Sequence, residues 1–387
     1  MDLKNVVCLF VLFNVALSVS IEPKINNKLL ALPINNSNIS VSHTNSTQSH
    51  NNTHYNGTNT LITTNNASNI RPDFRKKPRR PVIPSIDKVP VIAILASPVS
   101  NGNNLESYIP SELIFWVTSG GAVPLPVEHW VSGKDLDHIL QNTNGFIIQG
   151  TEKDINLKGD YEKFVTKLIK KVKALNDKKI YYPLFALGST MKTLVAIESL
   201  DLTLLTQLDG LANYMTKLYF TGNPIKKKYR LFSSFERRDF ISFMRKPTNF
   251  VNVHSAIDYA NFNKNANMKK EYIVTSYGKN AQKKRYVVSV ECNDYPIFGL
   301  LSHPYLVSFS RDSNLNIKYT QDAFSISQRF LNFIVEEGRK SQYTANIKHI
   351  YKDSNGIDIL GSHPGGIVEG RKAWIFKNPH PLSKKKH

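Results

Sequence analysis

Ile180-Tyr181-Tyr182-Pro183-Leu184-Phe185-Ala186-Leu187-Gly188-Ser189-Thr190-Met191-Lys192 reads as a strand, a sharp turn and the start of a helix, and this junction decides the fold. The apolar run at residues 180–184 predicts a strand, and residues 190–200 predict the helix that leaves it. The same alternation repeats upstream. Residues 89–95 form a continuous apolar, β-branched run, the pattern of a strand buried on both faces. Residues 108–119 predict a helix carrying Ile109, Leu113, Ile114, Trp116 and Val117, closed by Gly120-Gly121. Residues 122–127 and 145–150 predict two more strands, with a short helix over 136–140 between them. Residues 164–174 predict a helix with a lysine-rich outer face. Strands alternating with helices at this spacing imply an α/β fold, a layered αβα domain around a central, mostly parallel sheet. Beyond an irregular basic stretch at 201–280, residues 286–290 and 295–301 read as a late pair of strands and 323–338 as the closing helix.

The composition bounds what such a domain can do. The chain has 387 residues, 41% of them hydrophobic, enough for a sizeable core. Lys and Arg outnumber Asp and Glu by 50 to 30, a net charge of +20, which favours anionic partners. Part of that surplus is local. Residues 71–80 hold six basic residues against one acid, and 343–387 hold eight against three. Cys8 and Cys292 are the two cysteines, so neither a disulfide framework nor a cysteine-built metal site is available, and no metal or other cofactor is expected.

Four regions are expected. Residues 1–20 read as a signal peptide, an apolar run too short to span a bilayer followed by small residues. Cleavage there would leave Cys292 as the single thiol. Residues 21–88 read as a disordered Asn/Ser/Thr-rich segment and a basic, proline-punctuated linker. Six N-x-Ser/Thr triplets in this segment, at Asn35, Asn38, Asn45, Asn51, Asn56 and Asn66, are glycosylation acceptors or the chance product of its composition. Residues 89–342 form the α/β domain, and 343–387 a basic, mobile tail.

In a layered α/β sheet the ligand site lies beyond the carboxyl ends of the strands. Three turns are therefore the candidates. Gln149-Gly150 ends the third strand. Gly188-Ser189-Thr190 offers a nucleophile elbow, a small residue at a strand-to-helix apex. Ser302-His303-Pro304-Tyr305 offers an imidazole suited to general base work. The plainer alternatives are a helix-capping role for Ser189 and a structural one for His303. For Lys226-Lys227-Lys228 the choice is between an anion site and a solvated loop.

These segments resemble the gamma-glutamyl hydrolases of the class I glutamine amidotransferase-like superfamily. The resemblance runs over residues 91–337. It rests on 91–95, 108–122, 144–150 and Tyr182-Pro183-Leu184-Phe185. It continues through Leu218-Tyr219-Phe220-Thr221-Gly222, Asn252-Val253-His254 and Tyr295-Pro296-Ile297-Phe298-Gly299 ahead of His303-Pro304. It implies a flavodoxin-like layered fold and a cysteine hydrolase of folate poly-gamma-glutamyl tails, working in a lysosome, a vacuole or outside the cell. The family's cysteine falls on Gly188, with Ser189 and Thr190 the nearest hydroxyls, and His303 matches the family's histidine. Tyr305 stands where an acidic residue is expected, Gln149 replaces the first glycine of the oxyanion turn, Gly150 remains, and His254 matches a substrate-site histidine. The expectation is a secreted or vacuolar pseudoenzyme binding an acidic, gamma-glutamyl or folate-like ligand or a protein partner. Two alternatives stay open. One is an active hydrolase with a Ser or Thr nucleophile. The other is a secreted protein that binds polyanions or an anionic membrane surface through its basic flanks. Nucleic acid is set low by the signal peptide, and the oligomeric state is left open.

Overall fold

Five residues with no solvent exposure, Val91–Leu95, form β1, and the sheet is built outward from it. The computed structural model describes residues 89–99, 106–150, 155–224, 229–344, 365–368 and 371–377. The segment read as a signal peptide, the Asn-rich stretch with its six N-x-Ser/Thr triplets, the basic linker and Lys226–Lys228 lie outside the described residues. After β1 come β2 (Ser97–Pro98), β3 (Glu106–Pro110), α1 (Ser111–Ser119), β4 (Val123–Val127) and α2 (Gly133–Gln141). Then follow β5 (Gly145–Gly150), α3 (Asp160–Asp177), β6 (Leu184–Gly188) and α4 (Thr190–Ser199). The irregular basic stretch resolves into β7 (Leu205–Gln207), β8 (Tyr214–Thr216), β9 (Tyr219–Phe220), α5 (Arg237–Arg245), β10 (Asn249–Val251), β11 (Ser255–Ile257), α6 (Tyr259–Lys264) and α7 (Ala266–Glu271). The chain closes with β12 (Tyr272–Lys279), β13 (Arg285–Cys292), β14 (Ile297–Leu300), α8 (Pro304–Phe309), α9 (Gln321–Arg339), β15 (Gly365–Val368) and β16 (Arg371–Lys377).

The main sheet has eight strands in the order β4-β1-β5-β6-β14-β13-β12-β9. β4, β1, β5, β6 and β14 run parallel, and β13, β12 and β9 extend the sheet antiparallel. This is the expected layered αβα architecture, mostly parallel at its centre. β1, β5, β6 and β14 are buried along their whole length, each fully buried large apolar side chain contributing roughly 1.5–3 kcal/mol. Phe185 of β6 stacks on Phe298 of β14 at 5.4 Å, and Phe333 of α9 meets both edge-on. Trp116 of α1 is fully buried and donates its indole N–H to Ser327 Oγ of α9 at 3.1 Å.

Three expectations shift. The fourth strand is Leu184–Gly188 rather than residues 180–184. Pro183 has no N–H to give a ladder, so pairing starts after it, with Leu184 N donating to Pro296 O at 2.9 Å. The helix expected over 108–119 starts at Ser111, because Pro110 caps it and Tyr108–Pro110 belong to β3. The tail beyond residue 343 is not uniformly without structure: β15 and β16 pair with each other, and β16 pairs with β3, in a four-stranded sheet ordered β15-β16-β3-β2. Val368, Ala373 and Phe376 are buried there. The basic residues around this short apolar stretch mask its strand signal.

Candidate functional site

The parallel strands end at one edge of the sheet, and β5 and β6 end in register, Gly150 directly beside Gly188. Gly188 has φ +69°, a left-handed conformation that lets the chain turn sharply from β6 into α4. The elbow is therefore present as backbone geometry. Ser189 follows in helical conformation but does not cap the helix with its side chain. Its hydroxyl donates to Gly150 O at 2.7 Å. Thr190 Oγ1 shares its one hydrogen between Leu187 O at 2.8 Å and Ile148 O at 2.9 Å. Both hydroxyls of the turn are thus used to tie α4 to the strand ends.

His303 reaches the same place from the end of β14. Its main-chain N–H donates to Phe250 O at 2.8 Å, and Pro304 behind it opens α8. The ring is 5% exposed. A β-carbon on Gly188 would lie 2.1 Å from His303 Cε1, 2.7 Å from Nδ1 and 2.8 Å from Nε2. The imidazole occupies the volume that a side chain at residue 188 would need. Nδ1 pairs with the Tyr305 hydroxyl at 3.0 Å, and Tyr305 packs on Trp116, their ring centroids 6.4 Å apart. A phenol can orient the ring, but it supplies no negative charge to stabilise an imidazolium.

The other side of the elbow is braced by Gln149, which is 1% exposed. Its amide Nε2 donates to Tyr108 O of β3 at 3.1 Å and to Leu95 O of β1 at 3.4 Å. Its main-chain carbonyl accepts from Ser97 Oγ at 2.5 Å and Tyr161 Oη at 3.0 Å. Burial pushes the Tyr161 phenol well above its usual range, so it stays a donor. Gly150 has no room for a side chain either, since a β-carbon would meet Ser97 Oγ at 2.9 Å and Thr190 Cγ2 at 3.0 Å. The cavity bounded by Ser97, Pro98, Gly150, Tyr161, Ser189 and Thr190 is about 10 Å³, the size of one water.

Gly188, Ser189, Gly150, Gln149 and His303 are therefore brought together. His254 is exposed, between β10 and β11. Its neighbour Ser255 accepts a hydrogen bond at 2.9 Å from Lys192 Nζ, on the first turn of α4. Lys192 is 1% exposed, and sequence reasoning missed it, although a lysine inside the apolar run Thr190 to Ile197 is the available signal. Ser97, Tyr161 and Tyr108 were also missed, because they come from the short strand β2, from the first turn of α3 ahead of the expected helix, and from a strand read as helix. Cys292 lies at the far end of β13, beside Tyr272 and level with the start of β14, on the opposite edge from Gly188. Burial pushes its thiol up. Among the described residues no group of three or more His, Cys, Asp or Glu side chains is placed to hold a metal ion, and no helix is long and apolar enough to cross a membrane.

No family model matches the chain. It is 24% identical over 272 residues to "Gamma-glutamyl hydrolase B" of Dictyostelium discoideum, covering 70% of this chain and 78% of the relative. It is 26% identical over 299 residues to "Gamma-glutamyl hydrolase" of Homo sapiens, covering 75% and 90%, and 24% identical over 275 residues to "Gamma-glutamyl hydrolase" of Glycine max, covering 69% and 78%. Among solved structures, a candidate GMP synthase protein of Thermoplasma acidophilum aligns with 68% of this chain and 98% of its own at 12% identity, with a TM-score of 0.41. Similarity to gamma-glutamyl hydrolases from a slime mould, a plant and a mammal extends over most of the α/β domain.

Proposed function

We propose that this chain is a catalytically silent gamma-glutamyl hydrolase-like protein of the secretory pathway, vacuole or extracellular space. Its retained function is binding an acidic, gamma-glutamyl or folate-like ligand or a protein partner. The observation that carries the reading is the imidazole seated on Gly188. A cysteine hydrolase needs a thiolate at the elbow apex with a base beside it. Here the apex has no side chain, and the base stands in the nucleophile's space. Loss of one member of such a set typically costs about a million-fold in turnover. Tyr305, a neutral partner to His303 Nδ1, supports the same reading. The hydrogen bonds from Ser189 and Thr190 to main-chain carbonyls speak against a hydroxyl nucleophile. The apolar run and small residues at 1–20 support entry into the secretory pathway.

The test is an assay of the purified protein on a pteroyl oligo-gamma-glutamate, with Ser189→Ala and His303→Ala beside it. No release of glutamate above background is expected from any of the three. Turnover by the unmodified chain that both substitutions abolish would overturn the reading in favour of a serine hydrolase. Equilibrium dialysis with the same compound measures the ligand arm directly: retention weakened by salt supports an acidic ligand, and no retention leaves the protein-partner arm as the function.

A further inference from the structure

The brace over the elbow depends on β2 and β3, and these two strands hold each other weakly. They pair over two residues, Ser97 with Tyr108 and Pro98 with Ser107. So short a ribbon is not stable alone. The longer partner of β3 comes from the end of the chain. β16 pairs with it over five residues, from Ala373 opposite Pro110 to Lys377 opposite Glu106. Tyr108, Val368 and Ala373 form a small apolar cluster of their own, with Val99 and Ile375 against it, separate from the main core. Phe376 belongs to the main core, and Trp374 packs against that core and against Val91 and Leu125. Residues 345–364 of the sequence separate this hairpin from the strands and helices of the main sheet.

We propose that the β15–β16 hairpin is a strap that holds β2 and β3 closed over the elbow. Its release uncovers the cavity beside Gly150 and Ser189 without unfolding the main sheet. The link is short. The main-chain carbonyl of Tyr108 in β3 holds the Gln149 amide, Ser97 in β2 holds the Gln149 carbonyl, and Ser97 and Pro98 wall the cavity. Loosening the edge of β3 frees both ends of that brace. The ladder and the satellite cluster carry the attachment. The Lys377–Glu106 ion pair, 3.9 Å apart and solvent-exposed, adds little. The strap does not depend on whether the elbow is catalytically silent.

The experiment places a reporter thiol, Ser189→Cys, in the full chain and follows its labelling by an aromatic disulfide reagent, with the parent protein as the blank for Cys292. Ala373→Asp buries a charge in the satellite cluster and releases the hairpin. Labelling of the reporter is expected to speed up about tenfold, with matching acceleration of amide exchange at residues 107–109 and none in β5 or β6. Trp374→Ala is the milder variant and moves both readouts in the same direction. Joining the directly paired residues with Glu106→Cys and Lys377→Cys restores slow exchange in the Ala373→Asp background when the bond is oxidised. Unchanged labelling and exchange in the released variants overturn the proposal. So does acceleration spread equally over β5 and β6, which would make the hairpin part of the cooperative core, and so does an oxidised lock that fails to restore protection.

Discussion

The two edges of the main sheet divide between them what a hydrolase needs at one. At the carboxyl edge the backbone makes a sharp elbow: a left-handed glycine at the turn into α4, a second glycine in register beside it and a histidine at the neighbouring strand end. No thiol stands at the turn, and the space is filled by rings, hydroxyls and an amide bonded to main chain. At the opposite edge the side chains are rich. Lys173 contacts Glu198 at 2.5 Å and Glu271 at 3.2 Å, Tyr272 donates to Glu198 at 3.1 Å, and the thiol of Cys292 is buried close by. A groove of about 530 Å³ lined by Asp177, Lys179, Tyr181, Arg230, Asp294 and Tyr295 opens on that side. None of these groups meets a turn that could present a nucleophile to a base. A thiol and a cavity on the wrong edge do not make an active site, because catalysis depends on groups pre-aligned about one reacting atom.

Restoring a thiol at the elbow is the strongest way to break the contrast. Gly188→Cys adds a β-carbon 2.1 Å from an imidazole carbon, at a φ that non-glycine residues resist. Overpacking and backbone strain together should cost about 3 kcal/mol, read from urea unfolding, and the substitution should not confer hydrolysis of a gamma-glutamyl amide. Recovery of turnover without loss of stability would show that His303 yields easily and that the edge is closer to active than its packing implies. The opposite edge gives a smaller effect. Glu198→Ala leaves Lys173 with Glu271 alone and removes the acceptor of the Tyr272 hydroxyl, an expected loss of about 2 kcal/mol. The ring resonances of His303 should not move, since changes at distant sites without shared partners are close to independent. A shift of those resonances would join the two edges into one network.

The α/β alternation was legible because strands buried on both faces leave continuous apolar runs, as at Val91–Leu95 and Gly145–Gly150. The elbow was legible as a turn, although its strand was placed four residues early: apolar content cannot show that Pro183 refuses a ladder. The absence of a side chain at residue 188 could be read from the sequence. That His303 occupies the vacated volume could not, because spacing along a chain carries no distance between residues 115 positions apart. Gln149 looked like a lost oxyanion glycine. Its role as a brace needs the carbonyls of Leu95 and Tyr108, which come from two other strands. The C-terminal hairpin was hidden for a related reason: β16 is a strand only because β3 offers it an edge.

Glu128 gives the finest test of how far the carboxyl edge has closed. It follows β4 at that edge, next to His129, whose ring lies 5.8 Å from that of Tyr161. Burial raises the Glu128 carboxyl above its usual range, offset in part by its own main-chain N–H. A carboxyl whose folded pKa is raised holds its proton more tightly in the folded chain than in the unfolded one. Its burial therefore costs nothing below the unfolded value. The cost grows as pH rises from the unfolded value to the folded pKa and is constant above it. Glu128→Gln removes that cost, so it should stabilise the protein at neutral pH by less than about 1 kcal/mol and make no difference in acid. Unfolding midpoints measured from pH 4 to pH 8 should converge at the low end. Equal stability of the two proteins at every pH would mean that solvent reaches the carboxylate and that this edge is more open than its packing suggests.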